Sequence, residues 1–200
     1  MVNKADTVMC NLSNEEIRAC IVTSLDLIDS VIDRGDLHDR SYLERFIDLI
    51  LGEISEKIII KWIRQNGKYA ESAVDKKSRK PDMGHDIWLK NKNGEKIKCS
   101  VKSSLSALKS DMDAILCSFK IASKKTEIRE VNVQVYFWLE IYNNPRTTVP
   151  SDTHAAMIGW AGRNDISECT ETAYATERRK EVQLYLKDLR PMEELLQYII

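Results

Sequence analysis

The sequence DIWLKNKNGEKIKCSVKSS, which occupies residues 86–104, decides the expected fold of this chain. Apolar residues begin the stretch, a polar turn containing Gly94 follows, and apolar and polar residues then alternate toward Ser104. Alternation with a period of two is typical of a strand that buries one of its faces. The stretch therefore predicts two short strands joined as a β-hairpin.

The faces of this hairpin determine which side chains can meet. Alternation places Ser100 and Lys102 on one face of the second strand, and it predicts a shared face for Asp86 and Trp88 on the first. Pairing of the strands can bring the carboxylate of Asp86 beside the ammonium of Lys102. A carboxylate that holds a divalent cation next to a lysine is a minimal apparatus for phosphodiester hydrolysis.

These residues resemble the core of the PD-(D/E)XK nuclease superfamily, which includes many restriction endonucleases and archaeal Holliday-junction resolvases. In that pattern an aspartate lies on one strand, and an acidic residue or glutamine lies two positions before a lysine on the next. Asp86 and Lys102 match these positions, whereas Asp82 is interpreted as a loop residue. The chain departs from the pattern at Ser100, which supplies a hydroxyl where the family has an acidic residue or glutamine.

A second part of the resemblance lies upstream, in the sequence GEISEK at residues 52–57. Members of the superfamily often carry a glutamate on a helix that precedes the first strand. The resemblance implies that Glu56 reaches into the site, with Glu53, one turn earlier, as the competing candidate. The Asn66-Gly67 pair that follows is typical of a helix end. The similarity covers about residues 50–105.

The resemblance implies an α/β fold with a restriction-endonuclease-like core, in which a central mixed sheet is flanked by helices. The order helix, hairpin, helix, strand, strand agrees with such a core. We expect one domain over residues 1–200, with a helical N-terminal extension at 1–40, the core at about 41–165 and a C-terminal segment at 166–200.

The implied function is a metal-dependent DNA endonuclease, most simply a type II restriction enzyme that cuts double-stranded DNA as a homodimer. Asp86, Glu56 and the backbone carbonyl of Cys99 would hold Mg²⁺, for which Mn²⁺ can substitute. Lys102 would position or deprotonate the nucleophile, and Ser100 would lie in the catalytic site. A repair or defence nuclease is an open alternative. So are a catalytically degenerate DNA-binding or assembly protein and a chance match outside the superfamily.

The net charge of −1 indicates that any DNA-binding surface is a local patch. A basic run before the hairpin and two serines after the catalytic lysine are the predicted DNA contacts: Lys76, Lys77, Arg79, Lys80, Ser103 and Ser104. The five cysteines show no metal-ligand spacing, and no apolar run reaches the roughly 18–20 residues of a membrane span. We therefore expect a cytoplasmic protein with no membrane association.

The remaining secondary structure is predicted from periodicity and capping residues. Ser13 and Glu16 form a capping box for a first helix, and a second helix begins near Asp39 or Ser41. The other expected elements are a short strand or loop at 68–80, a helix at 104–122, strands at 131–141 and 155–161, a turn or short helix opening at Asn164 or Asp165, and a helix after Pro191.

Overall fold

The computed structural model describes residues 1–9, 11–30, 40–73, 84–106, 111–138, 155–167, 169 and 181–200. The described strands are β1 (Val8–Met9), β2 (Ala70–Ser72), β3 (Ile87–Lys90), β4 (Lys96–Ser106), β5 (Lys120–Lys124), β6 (Val131–Trp138), β7 (Ala155–Gly162) and β8 (Glu181–Tyr185). The described α-helices are α1 (Asn14–Leu27), α2 (Tyr42–Gln65), α3 (Met112–Ser118), α4 (Arg163–Ser167) and α5 (Met192–Tyr198).

The strands form a six-stranded sheet in the order β1-β7-β6-β4-β3-β2 and a separate two-stranded ribbon of β5 and β8. Within the larger sheet β4 and β6 are parallel, and the other neighbouring strands are antiparallel. The α/β class with a central mixed sheet is therefore confirmed.

The predicted hairpin is present as β3 and β4. Its turn is closed by a hydrogen bond from the Gly94 amide to the Asn91 carbonyl at 2.9 Å, and Gly94 has a φ of 83°. Residues that carry a side chain are strained at this φ, so glycine suits the position. The side-chain oxygen of Asn91 also accepts hydrogen bonds from the amides of Asn93 and Glu95, both at 3.0 Å. Local turn chemistry thus sets the register of the hairpin.

The prediction of a helix at residues 104–122 is wrong over most of its length. Strand β4 continues to Ser106, the helix covers only Met112–Ser118, and β5 begins at Lys120. Strand β4 pairs with β6 from Cys99 to Ser106. This long-range pairing outweighs the helical spacing of the apolar residues, because strand propensity depends strongly on the partner strand. Strands β1, β5 and β8 were likewise not predicted from the sequence.

Helix α2 agrees with the prediction, since it begins after Ser41 and ends before Asn66. The Ser41 hydroxyl accepts a hydrogen bond from the Glu44 amide, and the Glu44 carboxylate accepts one from the Ser41 amide, which completes a capping box. A stripe of isoleucines that includes Ile54, Ile58 and Ile63 is buried against the sheet. This stripe determines which face of the sheet α2 covers.

Two hydrophobic cores lie on the two sides of the sheet. The first contains α2, the odd-numbered residues of β6 such as Val133, and the end residues Leu12 and Leu195. The second contains α3, the ribbon of β5 and β8, and Tyr136 of β6. Both ends of the chain therefore contribute to the packing of the sheet.

The N-terminal region contains the predicted capped helix α1, with Ser13 as its N-cap and Glu16 completing the capping box. None of the helices in the described ranges is long and apolar enough to cross a membrane.

Candidate functional site

Asp86 is held at the start of β3 by hydrogen bonds to both neighbouring strands. Its amide donates to the carbonyl of Cys99 at 2.9 Å, and its carbonyl accepts from the amide of Ala73 at 2.9 Å. Its carboxylate oxygen Oδ2 accepts a hydrogen bond from the amide of Val101 at 2.6 Å. The carboxylate of Asp86 is therefore hydrogen-bonded to β4 at Val101, the residue between Ser100 and Lys102.

The backbone at Asp86 departs from a regular strand. Ile87 is the register partner of Cys99, and Asp86 also donates its amide hydrogen to Cys99. Two consecutive residues facing one partner is an arrangement typical of a β-bulge, which re-aims a side chain at the end of a strand. The regular alternation that predicted a shared face for Asp86 and Trp88 thus ends at Ile87.

Lys102 lies on β4 and forms an ion pair that the sequence did not predict. Its Nζ lies 3.2 Å from Oε2 of Glu127, the last residue of a short 3-10 turn between β5 and β6. The two side chains are 27% and 22% exposed, so the pair is partly shielded from water. Glu127 is a carboxylate of the candidate site that lies just before β6, the strand that pairs with β4.

Polar side chains line the face of the sheet beside Lys102. Ser100 is 4% exposed and pairs in register with Asn132, and Lys102 pairs with Gln134. Both amide residues are buried, and Nε2 of Gln134 donates to the hydroxyl of Ser104 at 3.2 Å. The alternation Val-Asn-Val-Gln-Val in residues 131–135 is the signal from which these polar positions could have been predicted.

Glu56 is buried on α2 and lines a cleft of about 240 Å³ between α1 and α2. Glu53 lines the same cleft, so the choice between the two glutamates stays open. Among the described residues, those lining the cleft do not include Asp86 or Lys102. The cleft reaches Ser72 at the end of β2. The next residue, Ala73, donates its amide hydrogen bond to the Asp86 carbonyl. Glu56 thus faces the α1 side of this edge strand.

Cys99 faces the opposite side of β4, toward the core beneath α2. Burial, together with the nearby charge of Asp86, raises the pKa of the Cys99 thiol well above its ordinary range. The backbone carbonyl of Cys99, a predicted metal ligand, accepts the hydrogen bond from Asp86. Within the described ranges, no group of three or more His, Cys, Asp or Glu residues is placed to hold a metal ion.

The predicted DNA contacts fall into two groups. Lys76, Lys77, Arg79 and Lys80, together with Asp82, lie outside the described residues. Ser103 is exposed on β4, and Ser104 accepts the hydrogen bond from Gln134 described above. His85 is buried and packs edge-on against Trp88 with ring centroids 4.2 Å apart.

Comparison of the chain with protein-family models, curated proteins and solved structures gives no match in any of the three. The function must therefore be inferred from the chemistry of the residues themselves.

Proposed function

We propose that this protein is a metal-dependent DNA endonuclease with a restriction-endonuclease-like core. The order of α2, the β3–β4 hairpin, α3, β6 and β7 supports the proposal, because it agrees with the order that the resemblance implies apart from the additional strands β2 and β5. The observation that carries the proposal is the 2.6 Å hydrogen bond from the Val101 amide to the Asp86 carboxylate. This bond holds a carboxylate beside the strand segment that ends in the candidate catalytic lysine.

The donor groups near Asp86 suit a hard cation such as Mg²⁺. A carboxylate has about four lone-pair sites, so the hydrogen bond from Val101 does not exhaust its capacity. Mg²⁺ needs only one or two carboxylates, because it keeps several of its own waters. Asp86 would hold the ion, with the Ser100 hydroxyl as a neutral oxygen nearby in the chain. When bound, the ion supplies Lewis-acid polarisation of a phosphate and a more acidic water.

Lys102 contributes positive charge to the same segment of β4. Its ammonium group can interact with the oxygens of a phosphate, on which negative charge develops during displacement. Glu127 restricts the position of this ammonium group through the 3.2 Å ion pair. In this proposal Lys102 is the catalytic residue that contacts the phosphate, and Glu127 is a positioning residue.

A catalytically degenerate DNA-binding protein on the same fold is the second candidate. The observation that favours it is Ser100, which brings no negative charge and is 4% exposed on a face packed with polar strand residues. Loss of this charge weakens divalent-cation binding, whereas the DNA-binding surface of the same fold does not depend on it.

A nicking assay separates the two candidates. Supercoiled plasmid is incubated with the purified protein in Mg²⁺, in Mn²⁺ and in EDTA. The endonuclease is expected to nick or linearise the plasmid in either metal, and Asp86→Asn and Lys102→Ala are expected to abolish this activity. Asp82→Ala serves as the matched aspartate control and is expected to cut normally. A folded wild-type protein that binds DNA without nicking it in either metal would refute the endonuclease and favour the degenerate reading.

The proposal includes action on double-stranded DNA by a homodimer, since a twofold assembly places one site at each strand. Sedimentation of the protein with and without a duplex tests this point. A monomer that linearises plasmid at stoichiometric concentration would contradict it.

A further inference from the structure

One face of the β3–β4 hairpin combines lysines with aromatic rings. The register pairs Trp88 with Lys98 and Lys90 with Lys96, and directly paired residues share a face of the sheet. Tyr69, just before β2, lies against Lys90 on the same face. We call these five residues, Tyr69, Trp88, Lys90, Lys96 and Lys98, the lysine–aromatic face.

The aromatic rings hold two of the ammonium groups in place. Nζ of Lys90 lies 4.6 Å from the centroid of the Tyr69 ring. Nζ of Lys96 lies 5.8 Å from the Tyr69 centroid and 5.7 Å from the Trp88 centroid. Cation–π contacts of this kind restrict long side chains that are otherwise mobile. An anionic partner would therefore meet charges that are already positioned.

The charges on this face are only partly compensated within the chain. Lys96 forms an ion pair with Glu71. Among the described residues, neither Lys90 nor Lys98 has a carboxylate within ion-pair distance of its ammonium group. The Glu130 carboxylate contacts the backbone of Lys98, because it accepts a hydrogen bond from the Lys98 amide at 3.3 Å. The face thus carries positive charge in a protein whose net charge is −1.

The same side of β4 leads toward the candidate site, with the buried Ser100 between Lys98 and Lys102. Alternation along β4 places Lys102 on the same side as Lys96 and Lys98. From Lys96 to Lys102 the strand rises about 20 Å, in six steps of about 3.3 Å each. One strand of a DNA duplex places a phosphate about every 3.4 Å along the helix axis, so the length from Lys96 to Lys102 corresponds to about six phosphate spacings.

We infer that the lysine–aromatic face binds the phosphate backbone of DNA next to the candidate site. The inference deepens the proposed function and rests on it, because it assigns the substrate contacts of the same site. The face lies on the hairpin and consists of residues other than the predicted basic run at 76–80.

Lys90→Gln and Lys98→Gln test the inference, since neither substitution leaves a described carboxylate without its partner. Fluorescence anisotropy of a labelled duplex of about 20 base pairs, in EDTA, gives the affinity at several salt concentrations. Each lysine that neutralises a phosphate contributes about 0.9 to the slope of log affinity against log salt. Each substitution is therefore expected to reduce the slope by about 0.9.

Lys187→Gln is the control, because Lys187 is a lysine outside the hairpin that, like Lys90, lies near a tyrosine ring, 5.6 Å from the Tyr185 centroid. It is expected to leave the slope unchanged, and circular dichroism verifies that all three variants are folded. An unchanged slope in both hairpin variants, or an equal decrease in Lys187→Gln, would overturn the inference. Displacement of the duplex by poly-glutamate of equal charge would overturn it as well, since the face would then bind any polyanion.

The two proposals fail in different ways. If the wild-type protein cleaves plasmid but Lys90→Gln and Lys98→Gln keep the wild-type salt slope, the DNA-binding role of the face is refuted and the endonuclease proposal stands. If DNA binding depends on Lys90 and Lys98 but no plasmid is cleaved, the endonuclease proposal is refuted and the DNA-binding role of the face stands.

Discussion

Replacing Asp86 with asparagine removes one negative charge and keeps an oxygen that can accept the Val101 amide hydrogen. The native bond is charge-assisted, joins Val101 N to Asp86 Oδ2 at 2.6 Å and lies in a partly buried setting. The substitution therefore separates the charge of the carboxylate from its role as a hydrogen-bond acceptor. Asp86→Ala, in contrast, removes both.

The expected loss of stability follows from the difference between charged and neutral hydrogen bonds. Bonds to charged groups contribute about 1.5–3 kcal/mol and neutral ones about 0.5–1.5 kcal/mol, so Asp86→Asn should cost about 1 kcal/mol. For a chain of this length that cost corresponds to a decrease in Tm of about 2–4 °C. Asp86→Ala leaves the Val101 amide without its acceptor and should cost about 2 kcal/mol.

The effect on activity should be far larger than the effect on stability. Loss of the charge that holds the metal is expected to reduce plasmid nicking by about a hundredfold or more, which corresponds to about 3 kcal/mol of transition-state stabilisation. Urea unfolding measures the first quantity, and single-turnover nicking of plasmid by folded protein measures the second.

One result for each variant would contradict these expectations. Nicking by Asp86→Asn within about threefold of wild type would show that the charge at Asp86 does not hold the metal. Equal stability of wild type and Asp86→Ala would show that the hydrogen bond to Val101 does not hold the carboxylate on β4.

Three further predictions concern other parts of the molecule. Ser100→Asp should tighten Mn²⁺ binding measured by calorimetry, because it adds an anionic oxygen beside the candidate site; equal affinities in both proteins would show that Ser100 does not face a metal site. Glu16 has a lowered pKa, chiefly through its hydrogen bond to Lys61 and also through the Ser13 amide, so its stabilising contribution is present above the ordinary glutamate pKa and lost as the pH falls below it. Glu16→Gln should therefore cost about 1 kcal/mol at about pH 6 and much less at about pH 3, and a cost independent of pH in urea unfolding would refute the role of the charge. Ile58→Ala should cost about 2–5 kcal/mol in the same assay, since Ile58 is fully buried between α2 and the sheet; a cost below about 1 kcal/mol would contradict that packing.

Several elements follow from local sequence signals. The capping boxes at Ser13 and Ser41 begin α1 and α2, and the Asn91–Gly94 turn determines the hairpin. Each depends on residues within about four positions of one another, so the chain carries these signals without any distant contact. The α/β class could be predicted because such signals accumulate along the chain.

The contradicted helix at residues 104–122 shows where local signals fail. Its apolar spacing is helical, yet Leu105 pairs with Phe137 of β6, more than thirty residues later. Hydrogen bonds to a partner strand outweigh a weak local preference, and the identity of that partner is not encoded nearby. The missed strands β5 and β8 have the same cause, because each is completed only by the other.

By itself the sequence determined the hairpin, the faces of its strands from Ile87 onward, and the spacing of Asp86, Ser100 and Lys102 along the chain. The tertiary structure alone decided that the Asp86 carboxylate accepts a hydrogen bond from the Val101 amide, and that Glu127 forms an ion pair with Lys102. Spacing along a strand follows from covalent geometry, which is the same in every protein. The partners of these side chains depend instead on which distant segments pack together, and that is decided by the burial of apolar surface over the whole chain.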